Sequence, residues 1–108
     1  MPTYVVLINW SQQGITNFGH TLDGYRESQR PLGEAGVRFK DIYWTIGQHD
    51  LVAIVEAPDD ETAAAAMLAI SSPGGVRTNV LRAFDETGME TVLAKAGSMA
   101  AALTADGS

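Results

Sequence analysis

Two predicted strands that are apolar on both faces constrain this chain most strongly. They run from Tyr4 to Trp10 and from Leu51 to Glu56 in a chain of only 108 residues. Helices of the same chain can cover one face of so small a sheet, but the other face also needs a cover. We therefore expect a second copy of the protein to close it, as a homodimer or a higher homo-oligomer.

The composition excludes several classes of protein. The absence of cysteine rules out disulfides, thiol nucleophiles and cysteine-bound metal clusters. Thirteen acidic and seven basic residues give a net charge of −6, and the basic residues are scattered, so binding to nucleic acid or to a membrane surface is not expected. Because no apolar run approaches the roughly 20 residues of a membrane span and no basic leader precedes the first strand, we expect a soluble, cytoplasmic, single-domain protein.

Hydrophobic periodicity predicts four strands and three helices. The predicted strands are Thr3 to Trp10, Val37 to Ile46, Leu51 to Glu56 and Val76 to Phe84, and the helices run from about Thr16 to Ala35, from the segment 58–61, and from a cap at Asp85. In the second strand, alternation places four residues on one face: Val37, Phe39, Tyr43 and Thr45.

The helices carry weaker signals than the strands. Pro31 inside the first helix predicts a kink or an early end near Arg30, and Gly36 is a plausible helix stop. The second helix has an acidic start, and its predicted buried face comprises Ala64, Met67, Leu68 and Ser71. The third has an apolar stripe formed by Met89, Val92, Leu93 and Ala96.

The order of these elements is typical of an α+β fold, the ferredoxin-like βαββαβ sandwich, here with an extra C-terminal helix. In this sandwich we expect the first and third strands to lie parallel at the centre of a four-stranded sheet, which explains why they are the most apolar. Residues 1–97 form one predicted domain, and residues 98–108 are expected to be a flexible or frayed tail.

Several segments resemble the GYD domain family, which is related to the dimeric α/β-barrel group. The resemblance covers most of the chain and lies in residues 2–10 with Gly14, in residues 47–61, and in residues 76–84. Gly47 and Asp50 match the glycine, tyrosine, aspartate signature, whereas His49 stands where tyrosine is usual. The resemblance implies a ferredoxin-like fold that assembles as a dimeric α/β barrel; it implies no established activity.

His49 and Asp50 are the candidate catalytic residues. An imidazole titrates near neutral pH, and the adjacent carboxylate is able to orient it as a general acid or base. The alternative is a structural role, because Gly47 to Asp50 has the composition of a tight hairpin turn. His20 and His49 are expected at opposite ends of parallel strands, roughly 20 Å apart, so we do not expect a shared intrachain metal site; a pair formed between subunits stays open. We expect no cofactor.

A second candidate site is predicted at the end of the first strand. Asn9 and Trp10 are expected beside the start of the antiparallel fourth strand, where Arg77 and Thr78 lie. With Tyr25 or Tyr43 as a wall, these groups have the chemistry of a pocket between the sheet and the first helix that holds a small carboxylate or carbonyl compound. The alternative is that Arg77 pairs with a surface acid while Trp10 packs.

Three functions follow from these features. The first is a homo-oligomer that binds a small organic molecule between sheet and helices. The second is a cofactor-independent enzyme, of proton-transfer or monooxygenase type, in which His49 and Asp50 are the acid and base. The third is a purely structural or interaction subunit. The residues alone leave open whether the chain is an enzyme.

Overall fold

The computed structural model describes residues 1–107, which form four strands and four α-helices in the predicted α+β order. The elements are β1 (Thr3–Trp10), α1 (Gln12–Thr16), a 3₁₀ turn (Phe18–His20), α2 (Thr21–Glu34), β2 (Arg38–Trp44), β3 (Leu51–Glu56), α3 (Asp60–Ser71), β4 (Val76–Ala83) and α4 (Glu86–Gly107). No helix within residues 1–107 is both long enough and apolar enough to cross a membrane.

The sheet has the strand order β2-β3-β1-β4, so the two strands predicted to be central are central. The prediction that they are parallel is wrong: β1 and β3 are antiparallel, with Thr3 opposite Glu56 and Ile8 opposite Leu51. Each helical crossover returns the chain in its starting direction, and the β2–β3 hairpin then reverses it once. As a result, the end of β1 meets the start of β3.

The core lies on one face of the sheet, under α2 and α3. Tyr4, Val6 and Ile8 of β1 are buried there, beside Leu51, Ala53 and Val55 of β3. The buried helical residues are Leu32 of α2 and Ala63, Ala66 and Met67 of α3. The opposite face of the sheet, which we call the open face, has no helix over it within residues 1–107 and carries Val5, Leu7, Val52, Ile54 and Leu81.

A β-bulge at Lys40 corrects the predicted faces of β2. The pairing with β3 shifts between Phe39 and Asp41, so Phe39, Ile42 and Trp44 lie opposite the core residues Val55, Ala53 and Leu51. Tyr43 lies opposite Val52 on the open face and is 61% exposed, instead of sharing a face with Phe39. One extra residue in a strand transfers every later side chain to the other face.

The first helical region is divided where one continuous helix was predicted. Ser11 caps α1, and the chain then turns at Asn17 before α2 begins. The early end predicted near Arg30 is wrong, because α2 continues through Pro31 to Glu34. The predicted stop at Gly36 is confirmed: its φ is +84°, a left-handed conformation that favours glycine, and the Val37 amide donates to the Leu32 carbonyl over 2.9 Å.

The acidic start of α3 behaves as predicted. The Asp59 carboxylate accepts a hydrogen bond of 2.7 Å from the Thr62 amide, which lowers the pKa of Asp59. The predicted buried face is only partly right, since Met67 is buried but Ala64 and Leu68 are exposed. Four consecutive alanines at 63–66 give no periodic contrast from which to choose a face.

The C-terminal helix is longer than predicted. α4 continues to Gly107, where a frayed tail from residue 98 was expected; residue 108 lies outside the described residues. None of its described side chains is buried, and the described chain extends 58 Å along its longest axis. α4 is therefore not part of the core under the sheet.

Candidate functional site

An apolar cleft of about 870 Å³ lies between α2 and α3, above the core face of the sheet. Its floor and sides are mainly aliphatic and aromatic, formed by Ile8, Trp10, Phe39, Ile42, Leu51, Val76, Leu32, Ala65, Ala66, Ala69 and Ile70. This is the location predicted for a ligand pocket, between the sheet and the irregular first helical region. A cleft of this size and character is typical of sites for small organic molecules.

The polar groups of the cleft are concentrated in the segment before α2 and in its first turns. Gln13, Asn17, His20 and Thr21 contribute to the lining there. The side-chain amide of Asn17 donates to the Gln13 backbone carbonyl over 3.0 Å, which fixes this polar segment. The cleft is therefore apolar along its walls, with hydrogen-bonding groups supplied mainly by this segment.

A backbone joint holds α1 against the loop that precedes β4. The Ser11 amide donates to the Gly75 carbonyl over 3.0 Å, and the Ser11 hydroxyl donates to the Gly74 carbonyl. A Cβ at Gly14 would lie 1.8 Å from the Gly75 carbonyl oxygen, so only glycine permits this approach. The joint fixes the cleft boundary at Gly14 and Gly75, which both line it.

Aromatic contacts position the α2 side of the cleft. The Tyr25 ring lies 5.7 Å from Phe39 and 5.8 Å from Trp44, the latter in an edge-to-face arrangement. The Trp44 indole donates to the Thr21 hydroxyl over 3.0 Å. Tyr25 lines the cleft, as predicted for one of the two tyrosines, whereas Tyr43 does not because the bulge turns it to the open face.

Asn9, His49 and Asp50 meet at one end of the sheet, although they were predicted in two separate groups. His49 Nδ1 lies 2.9 Å from Asn9 Oδ1, and the Asn9 amide donates to the Gln48 carbonyl over 2.8 Å. The Asp50 carboxylate accepts from the Trp10 amide over 2.9 Å. These bonds join the end of β1 to the β2–β3 hairpin, a contact that follows from the antiparallel pairing.

In the β2–β3 hairpin, His49 and Asp50 form hydrogen bonds with Asn9 and with the Trp10 backbone amide, which stabilise the fold locally. Neither residue is among the described residues that line the cleft, although Trp10 is. A catalytic role for the pair stays a prediction. The separation of roughly 20 Å predicted between His20 and His49 assumed parallel strands and loses its basis. Within residues 1–107, no group of three or more metal-binding side chains is present.

Arg77 and Thr78 lie on opposite faces of the edge strand β4. Arg77 is opposite Asn9 on the open face and is exposed. Thr78 is opposite Ile8 on the face that carries α3, where it lines a second pocket of about 420 Å³ with Tyr4 and Arg82. The six predicted ligand residues therefore do not form one site: Trp10 and Tyr25 line the cleft, and Asn9, Tyr43, Arg77 and Thr78 lie elsewhere.

Tyr4, a buried residue beside the second pocket, was not singled out from the sequence. The Tyr4 hydroxyl donates to Asp60 over 2.5 Å, and Arg82 lies 3.5 Å from the same carboxylate oxygen. The Arg82 guanidinium also stacks over the Phe84 ring at 4.6 Å. Burial, together with the hydrogen bond to Asp60, raises the pKa of Tyr4 to about 12. The sequence feature that could have indicated this contact is a tyrosine on the core face of a strand, because a buried phenol hydroxyl needs a hydrogen-bond partner.

Comparison with known proteins identifies a family and several relatives. Residues 4–93 match the family described as GYD domain. The glutamine synthetase and cystathionine beta-lyase binding protein of Thermus thermophilus is 36% identical over 84 residues, which are 77% of this chain and 88% of that protein. The relationship therefore covers the sandwich and the start of α4.

Two solved structures share the fold. TTHA0845 from Thermus thermophilus superimposes with a TM-score of 0.51 at 28% identity, covering 79% of this chain and 95% of that one. MtbAldR superimposes with a TM-score of 0.56 at 16% identity, covering 79% of this chain and 53% of that one. At such low identity, the likeness to MtbAldR indicates the fold alone.

Proposed function

The chain belongs to the GYD domain family, and we propose that it is a homo-oligomeric binding protein that holds a small organic molecule in the cleft between α2 and α3. The observation that carries this proposal is the apolar cleft of about 870 Å³. Ligand sites in proteins have volumes of about 300–1,000 Å³ and are mainly apolar with a few polar groups, as this cleft is.

The lining selects a class of ligand. Glu27 and His20 are its acidic and imidazole members, and the aliphatic and aromatic residues of the sheet form its floor. A molecule with an apolar body and a polar head group fits this distribution, with the head group near Asn17 and Thr21. Burial of the apolar body supplies most of the binding free energy, at about 25 cal/mol per Å².

A matched pair of glycine substitutions in α2 tests the cleft. Gly24 lines the cleft, Gly33 does not, and a Cβ at either position meets no atom within 4 Å. Both Gly24→Leu and Gly33→Leu gain similar helix propensity, but only Gly24→Leu places a side chain in the cleft.

The probe is Nile red, a neutral apolar dye whose fluorescence rises on binding. Gly24→Leu should weaken its binding about tenfold, which corresponds to about 1.4 kcal/mol, and Gly33→Leu should bind like the wild type. Equal binding by both variants would remove the cleft as the site, and failure of the wild type to bind would favour the purely structural alternative.

The open face of the sheet supports self-assembly. Its central aliphatic side chains, Val5, Leu7, Val52 and Ile54, are only half-buried, and Leu81 beside them is 45% exposed. Contiguous apolar surface of this kind is typical of an interface. A second copy that packs its own open face here would form the dimeric α/β barrel that the family resemblance implies.

A second candidate function is docking onto a metabolic enzyme. The supporting observation is the Thermus relative, which is named for binding glutamine synthetase and cystathionine β-lyase. The direct test is biolayer interferometry of this protein against those two purified enzymes from its own source organism. Saturable binding at micromolar concentration would support the docking function, and no binding to either enzyme would exclude these two partners.

A further inference from the structure

The helix α4 carries an apolar stripe in which only Val92 is half-buried within the described residues. Met89, Ala96 and Leu103 recur at intervals of seven residues, and Val92 and Met99 fall between them at the same interval. Met99 is 64% exposed and Leu103 is 73% exposed. The charged residues at 86, 90 and 95 lie outside the stripe. A stripe with a seven-residue period is the pattern by which two helices pack side by side.

The outer part of this helix is additional to the family match, which ends at residue 93. The stripe nevertheless continues through Ala96, Met99 and Leu103, and the helix continues with it to Gly107. A long helix in water depends on tertiary packing more than on propensity. The extension therefore has the properties of an element that packs on another molecule.

The areas of the apolar surfaces favour another copy of this chain as the second molecule. Four strands of six to eight residues present an open face of about 460 Å², from the usual strand spacing and rise. The 22 residues of α4 span about 33 Å, and a stripe 100° wide on such a helix offers about 290 Å². A stable interface needs about 800 Å² from each partner, so the sheet face alone is too small and the two surfaces together nearly suffice.

We propose that α4 of one copy pairs with α4 of a second copy along this stripe, which completes the interface begun by the open faces. The inference rests on the self-assembly proposed above. A two-fold interface uses the same patch of both copies, so α4 contacts α4 of the partner if the axis passes beside the stripe. Ala96 is the midpoint between Met89 and Leu103, so parallel and antiparallel pairing in register both bring it against the partner subunit's Ala96. Its small side chain permits a close approach of the two helices.

Disulfide trapping tests this pairing, and the absence of native cysteine gives a clean background. Ala96→Cys places a thiol on the stripe, and Ala94→Cys places one on the opposite side of the same helix. A disulfide requires Cβ atoms about 3.5–4.5 Å apart. After mild oxidation at low micromolar concentration, Ala96→Cys should run as a covalent dimer on a non-reducing gel while Ala94→Cys stays monomeric.

A charge substitution gives an independent measurement. In sedimentation, Ala96→Glu should weaken self-association by about tenfold or more, because each pair of helices would bring two carboxylates together, and Ala94→Glu should leave it unchanged. An unchanged Ala96→Glu, or equal trapping of both cysteine variants, would overturn the pairing. If the wild type still dimerises in that case, only the proposed α4 pairing is refuted. If the wild type is itself monomeric, the proposed self-assembly is refuted as well.

Discussion

Replacing Gly14 by alanine tests the joint that fixes one boundary of the cleft. The new Cβ would lie 1.8 Å from the Gly75 carbonyl oxygen, which is a backbone atom and has no rotamer with which to move away. The loop before β4 must shift by more than 1 Å to restore an ordinary contact of about 3.4 Å. That shift breaks the two hydrogen bonds from Ser11 to Gly74 and Gly75.

The cost can be estimated from these contacts. Two hydrogen bonds contribute about 1 kcal/mol each, and overpacking against rigid neighbours costs about 2 kcal/mol more. Alanine recovers about 1 kcal/mol of helix propensity within α1. The expected net loss is therefore about 3 kcal/mol of unfolding free energy, which lowers Tm by roughly 12–24 °C in a domain of this size.

Gly24→Ala is the matched control, because it lies inside α2 and its Cβ meets no atom within 4 Å. It should gain about 1 kcal/mol and raise Tm by roughly 4–8 °C. Thermal unfolding followed by circular dichroism measures both variants. If Gly14→Ala is as stable as the wild type or more stable, the close approach at Gly75 does not exist as described.

Two further predictions concern the sheet. His49→Ala removes the bond to Asn9 and should lower the unfolding free energy by about 0.5–1.5 kcal/mol while leaving Nile red binding unchanged; loss of an activity without loss of stability would instead support the predicted catalytic role. The raised pKa of Tyr4 means that the folded state holds its proton more tightly than the unfolded state, so stability falls as pH rises from about 10 to about 12. Urea titrations should show this fall in the wild type but not in Tyr4→Phe, and an identical pH profile would contradict the Tyr4–Asp60 contact.

The sequence predicted the strands well because they are short apolar runs rich in β-branched and aromatic residues, bounded by turn residues. The bounds of β3 agree residue for residue with the prediction. The relative direction of β1 and β3 was wrong because it depends on how crossovers and hairpins combine, not on any residue in either strand. That error separated His49 from Asn9, which the structure joins.

The candidate site was less predictable because it depends on local irregularities. The bulge at Lys40, which removes Tyr43 from the cleft, has no signature in an otherwise regular alternation. The contact of Gly14 with Gly75 joins residues that are distant in sequence, and no local sequence pattern near either glycine predicts it. The location of a pocket between sheet and helices followed from the topology, whereas its lining required the register of every element.

We expect a second copy of the chain to cover the open face of the sheet. Sedimentation velocity at micromolar concentration measures this directly for the wild-type chain of 11.5 kDa. We predict a species of at least twice that mass that persists on tenfold dilution. A folded protein that sediments as a single 11.5 kDa chain at every concentration would contradict the claim.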